Sequence, residues 1–147
     1  MILVDTSVWV SHFRQRNLSL VYLLTNDQVL SHPLVILEIA CGSPPAPRHK
    51  TLEYLDKLQT VKTATHREIM TLIDAHHLQD SGCGAIDMSL LASALITENA
   101  KIWTQDKKFE ALARRLGVSF TRNFIKFSMR EPTTQIGELQ IDYFQKE

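Results

Sequence analysis

Four acidic residues stand in segments otherwise built for burial. Asp5 closes the apolar run ILV and is followed by two small hydroxyl residues, Thr6 and Ser7. Glu38 lies inside LVILEIAC, and Asp87 inside GAIDMSLLASALI, where the next charge is Glu98. Asp106 follows IWTQ. A carboxylate withdrawn from water must be neutralised, paired or bound to metal, because losing its hydration costs several kcal/mol. Pairing with Lys or Arg accounts for one such acid but poorly for four, since none has a basic residue inside its own apolar segment. Lys107 adjoins Asp106, yet adjacent residues do not face each other on a helix. If the acids converge, two carboxylates ~5 Å apart repel by about 3 kcal/mol at an effective dielectric of about 20. Several such pairs require a cation. Oxygen donors without Cys or His select a hard ion, Mg²⁺ or Mn²⁺. A common use of such an ion is to activate water in phosphoryl chemistry.

The elements that must position these acids alternate between strand and helix. Residues 2–5 read as a short buried strand, 7–16 and 18–25 as helices, and 28–31 as a second strand. His32-Pro33 opens a helix, Pro suiting the first turn, which runs to Cys41 and is stopped by Gly42. SPPAPR is a loop. Amphipathic helices are predicted over 48–59 and 65–77, with a strand at 61–64 between them. After the loop DSGCG come an apolar helix over 86–98, a strand at 101–104, a helix over 107–116 ending at Gly117, and a last strand at 118–121. This alternation implies an α/β fold with a mostly parallel sheet. Sites in such sheets gather at the carboxyl ends of the strands, where Asp5 and Asp106 fall.

The chain has 147 residues, 44% hydrophobic and 22% charged, which fits one domain with a substantial core and argues against disorder. Net charge is zero, but its distribution is uneven. Residues 101–130 hold eight basic residues against two acids, half of all the Lys and Arg. Such a cluster is either a solvated face or a patch that attracts phosphates. Cys41 and Cys83 show neither a CxxC pattern nor metal-ligand spacing to a His, so reduced thiols in a cytoplasmic protein are expected. No basic region precedes a long apolar run at the N-terminus, and no stretch approaches the ~20 apolar residues of a membrane span. Neither a signal peptide nor a membrane partner is therefore expected.

DTSVW, HPLVILEIACG, GAIDMSLLASAL and IWTQDKKFEALARRLGV, in that order, closely resemble the PIN-domain ribonucleases, and within them the VapC-type toxins of toxin–antitoxin pairs. The resemblance spans roughly residues 1–121. It implies a three-layer α/β/α PIN-like domain, taken as residues 1–123, with a C-terminal extension at 124–147 that has no recognised counterpart. It implies that Asp5, Glu38, Asp87 and Asp106 gather round one or two Mg²⁺ or Mn²⁺ ions. Thr6 or Ser7, and Thr104, match hydroxyl positions that order the site. Where many members carry a further acid after the fourth, this chain has Lys107, Lys108 and Phe109. The implied activity is endoribonuclease hydrolysis by metal-activated water, leaving 3′-hydroxyl and 5′-phosphate ends. The implied partners are an RNA substrate, a VapB-type antitoxin and a second copy in a homodimer. Lys107, Lys108, Arg114 and Arg115 are the candidates for gripping the RNA backbone. Alternatives are a PIN-fold RNA-processing nuclease without an antitoxin and a catalytically silent PIN-fold binding module. A dehalogenase-like phosphatase would need a second Asp where Ser7 stands, and a receiver domain would need adjacent acids near the first strand.

Other residues weigh less. His76 and His77 read as a solvated helix end, Trp9, Trp103 and Cys41 as core, and Asp56, Asp74 and Asp80 as solvated. His12 lies about two turns beyond Asp5 and is a candidate for the cleft or an interface.

Overall fold

Strand β1 (Ile2–Val4) is three apolar residues with no turn-forming or charged side chain, and Leu3 and Val4 are fully buried. Burying each contributes roughly 1.5–3 kcal/mol, and the strand occupies an inner position of the sheet. The structure is a computed structural model, and it describes residues 1–121. Arg122, Lys126 and Arg130, the proposed boundary at 123 and the extension at 124–147 lie outside the described residues.

The remaining elements follow in order: α1 (Thr6–Arg14), α2 (Leu18–Thr25), β2 (Val29–Ser31), α3 (Pro33–Cys41), α4 (Arg48–Lys57), β3 (Gln59–Thr60), α5 (His66–His76), α6 (Ala85–Ile96), β4 (Lys101–Trp103) and α7 (Lys107–Arg115). The sheet runs β3-β2-β1-β4 with every pair parallel. Leu3 pairs with Leu30 on one side and Ile102 on the other. Helices α6 and α7 pack against β4, α1 packs on α3, and α5 on α6, giving the three-layer α/β/α arrangement. Trp9, Leu20, Leu55, Leu90 and Phe109 fill the core beside the strands. Among the described residues no helix is long and apolar enough to cross a membrane.

Several local expectations need correction. The third strand is Gln59–Thr60, not 61–64. It is an edge strand with exposed side chains, defined by backbone pairing to Leu30 and Ser31. The apolar pattern marks Val61, which is buried and donates its N–H to the Ser31 carbonyl just after the strand ends. The segment 118–121 makes one parallel bridge, Ser119 to Ile102, flanked by hydrogen bonds from Ile102 N to Val118 O and from Phe120 N to Ile102 O. Gly117, at φ +76°, makes the left-handed turn that brings this segment back to β4. Gly42 ends α3 at φ −98°, so left-handed freedom is not what it supplies there. Cys41 is exposed rather than core, because it falls on the solvent side of the last turn of α3.

Two buried histidines tie elements together. His32, fully buried, accepts the Leu34 N–H at Nδ1 as N-cap of α3. Its Nε2 therefore carries the proton and points at Ser93 Oγ (3.2 Å). Ser93 also accepts the Ala64 N–H and donates to the Ser89 carbonyl. Protonating His32 would set a second N–H against that of Leu34, and burial holds its pKa below the ordinary value. His12 is also buried, and it faces neither the cleft nor solvent. Its Nδ1 accepts the N–H of Asn17, the N-cap of α2, fixing the α1–α2 corner.

Candidate functional site

With every strand parallel, the carboxyl ends of β1, β2 and β4 share one edge of the sheet. Asp5 follows β1 there, and its N–H donates to the Trp103 carbonyl at the end of β4 (2.9 Å). Asp5 is the N-cap of α1, yet its carboxylate makes no capping bond. An Asp at this position ordinarily accepts a backbone N–H of the first turn. Here Oδ2 accepts instead from Ser7 Oγ (2.7 Å) and from Thr104 Oγ1 (2.8 Å). Both hydroxyls are held in turn, Ser7 Oγ accepting the Gln105 N–H and Thr104 Oγ1 the Asp106 N–H. This lattice locks the loop after β4 to the start of α1 and aims the Asp5 carboxylate.

Glu38, one and a half turns into α3, is oriented across the helix pair by Thr6, whose Oγ1 donates to Oε1 at 2.7 Å. Thr6, Ser7 and Thr104 thus all bond to a candidate acid. Asp106 is the N-cap of α7, and its Oδ1 accepts the Phe109 N–H. Asp87 sits in the first turn of α6. Its pKa is raised to about 6, first by burial and then by the charges of Asp5, Asp106 and Glu38, against a lowering contribution from the Gly84 backbone. Asp87 therefore lies within electrostatic reach of the other three acids.

The four are not equally buried, as their apolar segments led us to expect. Asp5 is buried, Glu38 and Asp87 are half-buried, and Asp106 is exposed. The reason is positional: all four lie in helices or at N-caps, but only Asp5 stands between β1 and β4 with the Ser7 and Thr104 hydroxyls both bonded to it. The two ion pairs among the described residues, Lys57–Glu53 and Arg114–Glu110, involve none of the four. Nor do any three His, Cys, Asp or Glu side chains among those residues close round a single point. The donor chemistry nevertheless suits a hard divalent cation: carboxylates with no ion-pair partner among the described residues, one of them driven toward protonation by burial first and by the charges of the other three second.

The four basic candidates separate. Lys107 and Lys108 stand in the first turn of α7, beside Asp106. The stem of Lys108 lies over Gly82, where an added Cβ would meet its Cδ at 2.9 Å. Arg114 and Arg115 are about 10 Å further along the helix. Arg114 pairs with Glu110 (2.7 Å), and Arg115 donates to the His76 carbonyl at the end of α5 (3.0 Å). Cys83, in the loop beneath Lys108, has its thiol pKa pushed up by burial and by Asp87 and Asp106. Sequence reasoning did not single out Phe13 and Arg14 of α1, which line a groove with Glu38 in its wall. Their only sequence signal is helical spacing from Thr6.

Residues 2–115 match the model of the PIN domain. The chain is 41% identical over 119 residues to Ribonuclease VapC32 of Mycobacterium tuberculosis strain H37Rv, covering 81% of this chain and 95% of that protein. The same figures hold for Ribonuclease VapC32 of strain CDC 1551 / Oshkosh. An acid-rimmed edge on an all-parallel sheet, a family match across nearly all the described residues and this level of identity agree: the chain belongs to the PIN-domain family, among its VapC-type ribonucleases.

Proposed function

We propose that this chain is the toxin of a type II toxin–antitoxin pair, an endoribonuclease whose metal site is formed by Asp5, Glu38, Asp87 and Asp106. What supports the reading is the Asp5 carboxylate, held by Ser7 and Thr104 at the carboxyl edge of an all-parallel sheet, with Glu38 tied to Thr6, the residue after Asp5, and none of the four acids in an ion pair among the described residues. Bound there, Mg²⁺ or Mn²⁺ supplies a lowered water pKa and neutralises charge on the phosphodiester.

The chain's own residues prepare the site. Ser7 and Thr104 hold the Asp5 carboxylate with Oδ2 engaged, so Oδ1 remains available as a donor. Thr6 does the same for Glu38 through Oε1. The Asp106 cap bond uses Oδ1 and leaves Oδ2. Each acid so tied keeps one carboxylate oxygen for a ligand role while its rotamer is restrained. Lys107 and Lys108 draw the RNA backbone to this end of α7, and Arg114 and Arg115 extend the positive surface along it. With water as nucleophile, products carry 5′-phosphate and 3′-hydroxyl ends. The same reading supplies a VapB-type antitoxin as partner, a homodimer as assembly and the cytoplasm as location.

The test is cleavage of end-labelled total RNA by the purified chain with Mn²⁺ or Mg²⁺. EDTA and Asp5→Ala serve as controls. Cleavage lost in both controls, with 5′-phosphate fragments, supports the reading. A folded, antitoxin-free chain that cuts no RNA pool would point to a silent binding module.

A further inference from the structure

Helix α1 presents Thr6, Val10, Phe13 and Arg14 along one side, at the spacing that aligns residues on a helix. Thr6, at the head of this row, is bonded to Glu38. Beyond it, Val10, Phe13 and Arg14 line a groove of ≈ 490 Å³ with Glu38, Pro44 and Pro45 among the opposing residues. That volume is ordinary for a small-ligand site. From Thr6 to Arg14 the helix rises about 12 Å, so the groove leads away from the acids over a length comparable to one or two nucleotides.

The lining divides by chemistry. Phe13, Val10, Pro44 and Pro45 are apolar, Glu38 marks the acid end and Arg14 the far end. The Phe13 ring packs against buried Trp9, with centroids 5.9 Å apart and 33° between planes, so it is braced by the core. Arg14 is exposed and belongs to neither ion pair found among the described residues.

We infer that this groove is an RNA subsite, in which Phe13 packs on a base next to the scissile phosphate and Arg14 binds a phosphate further along the strand. The inference rests on the nuclease reading and deepens it. A strand whose phosphate sits at Glu38 must continue in some direction, and the groove starts at Glu38. An aromatic platform followed by an exposed guanidinium repeats the base–phosphate alternation of single-stranded RNA. Aromatic packing of this kind tolerates any base, so the subsite positions the strand without reading sequence.

The experiment measures binding of the full chain to a short, end-labelled, mixed-sequence single-stranded RNA by fluorescence anisotropy in EDTA, where cleavage plays no part. Arg14→Ala is expected to weaken binding about 10- to 100-fold and to reduce the slope of log affinity against log salt by about 0.7. Arg14→Lys should recover the salt slope. Arg16→Ala, the same charge loss two residues on, should change neither quantity. Phe13→Leu should weaken binding about 5- to 100-fold for intact RNA but not for an abasic oligomer of equal length. Melting curves of each variant separate these effects from misfolding. If Arg14→Ala binds RNA as Arg16→Ala does, with an unchanged salt slope, the subsite is refuted and the groove is left to a protein partner. The nuclease reading then still stands, provided the wild type cleaves RNA and Asp5→Ala does not. A wild type that neither binds nor cleaves RNA overturns both.

Discussion

The buried ring of His12 makes part of this protein's stability depend on pH, and the size follows from its surroundings. His12 is 6% exposed, and its Nδ1 is committed to the Asn17 N–H at 2.9 Å. Its pKa is lowered from 6.5 to about 4, first by burial and then by the charge of Arg16. Above pH 6.5 the ring is neutral in both the folded and unfolded chain, and its full contribution is present. As pH falls from 6.5 toward 4 the unfolded chain takes up a proton that the folded chain refuses, so stability declines through this window. The shift corresponds to a loss of about 3 kcal/mol, complete near pH 4. Asp87 acts in the opposite sense: its pKa, raised to about 6, means the folded chain gains a proton first and is stabilised as pH falls. Total stability is therefore not diagnostic, and the quantity to measure is a difference. Urea unfolding, followed by the fluorescence of buried Trp9 and Trp103, gives stability for the wild type and for His12→Asn across the window. Asn offers a carbonyl oxygen in place of Nδ1, so the corner keeps an acceptor. We expect the variant to be less stable near neutrality and the gap to narrow by about 3 kcal/mol toward pH 4. A gap independent of pH would refute the reasoning, since the ring would then titrate alike in both states.

Three further outcomes are expected. Thr104→Val, nearly isosteric, removes the donor to Asp5 Oδ2 and the acceptor of the Asp106 N–H. It should cost about 1–3 kcal/mol by urea unfolding and depress RNA cleavage, while Thr104→Ser should retain both. Ser93→Ala leaves the Ala64 N–H without its acceptor and His32 Nε2 with only the longer contact to Ser89 Oγ at 3.4 Å among the described residues. A loss of about 2–3 kcal/mol is expected in the same assay, with cleavage per folded molecule unchanged. Phe109→Ala, at a fully buried side chain, should lower stability by about 3–5 kcal/mol and be read as a drop in the thermal midpoint.

The alternation of elements was legible because it is written in local chemistry. Asn17 and Thr65 cap α2 and α5 through their side chains, Pro33 opens α3, and Gly117 turns the chain after α7. The candidate acids were legible for a different reason, as charge inside an apolar segment is conspicuous without coordinates. Less legible was anything set by a partner remote in sequence. The edge strand β3 is defined by backbone pairing that its side chains do not signal. The tethering of Arg115 to His76, 39 positions away, gives no local sign.

By itself, then, the sequence determined the α/β order and the parallel sheet and singled out four candidate acids, because periodicity and misplaced charge are properties of short segments. Tertiary structure decided how the acids are used. Asp5 and Asp106 are both Asp at a helix N-cap, yet one gives its carboxylate to two hydroxyls and the other to a backbone N–H. Only the adjacency of β1 and β4, which brings Thr104 to Asp5 across 99 positions, separates them. Likewise His12 and His32 look like any other histidines until packing removes their water and leaves each one acceptor to satisfy. Desolvation and long-range hydrogen bonding depend on which surfaces meet, and that is settled only when the chain folds.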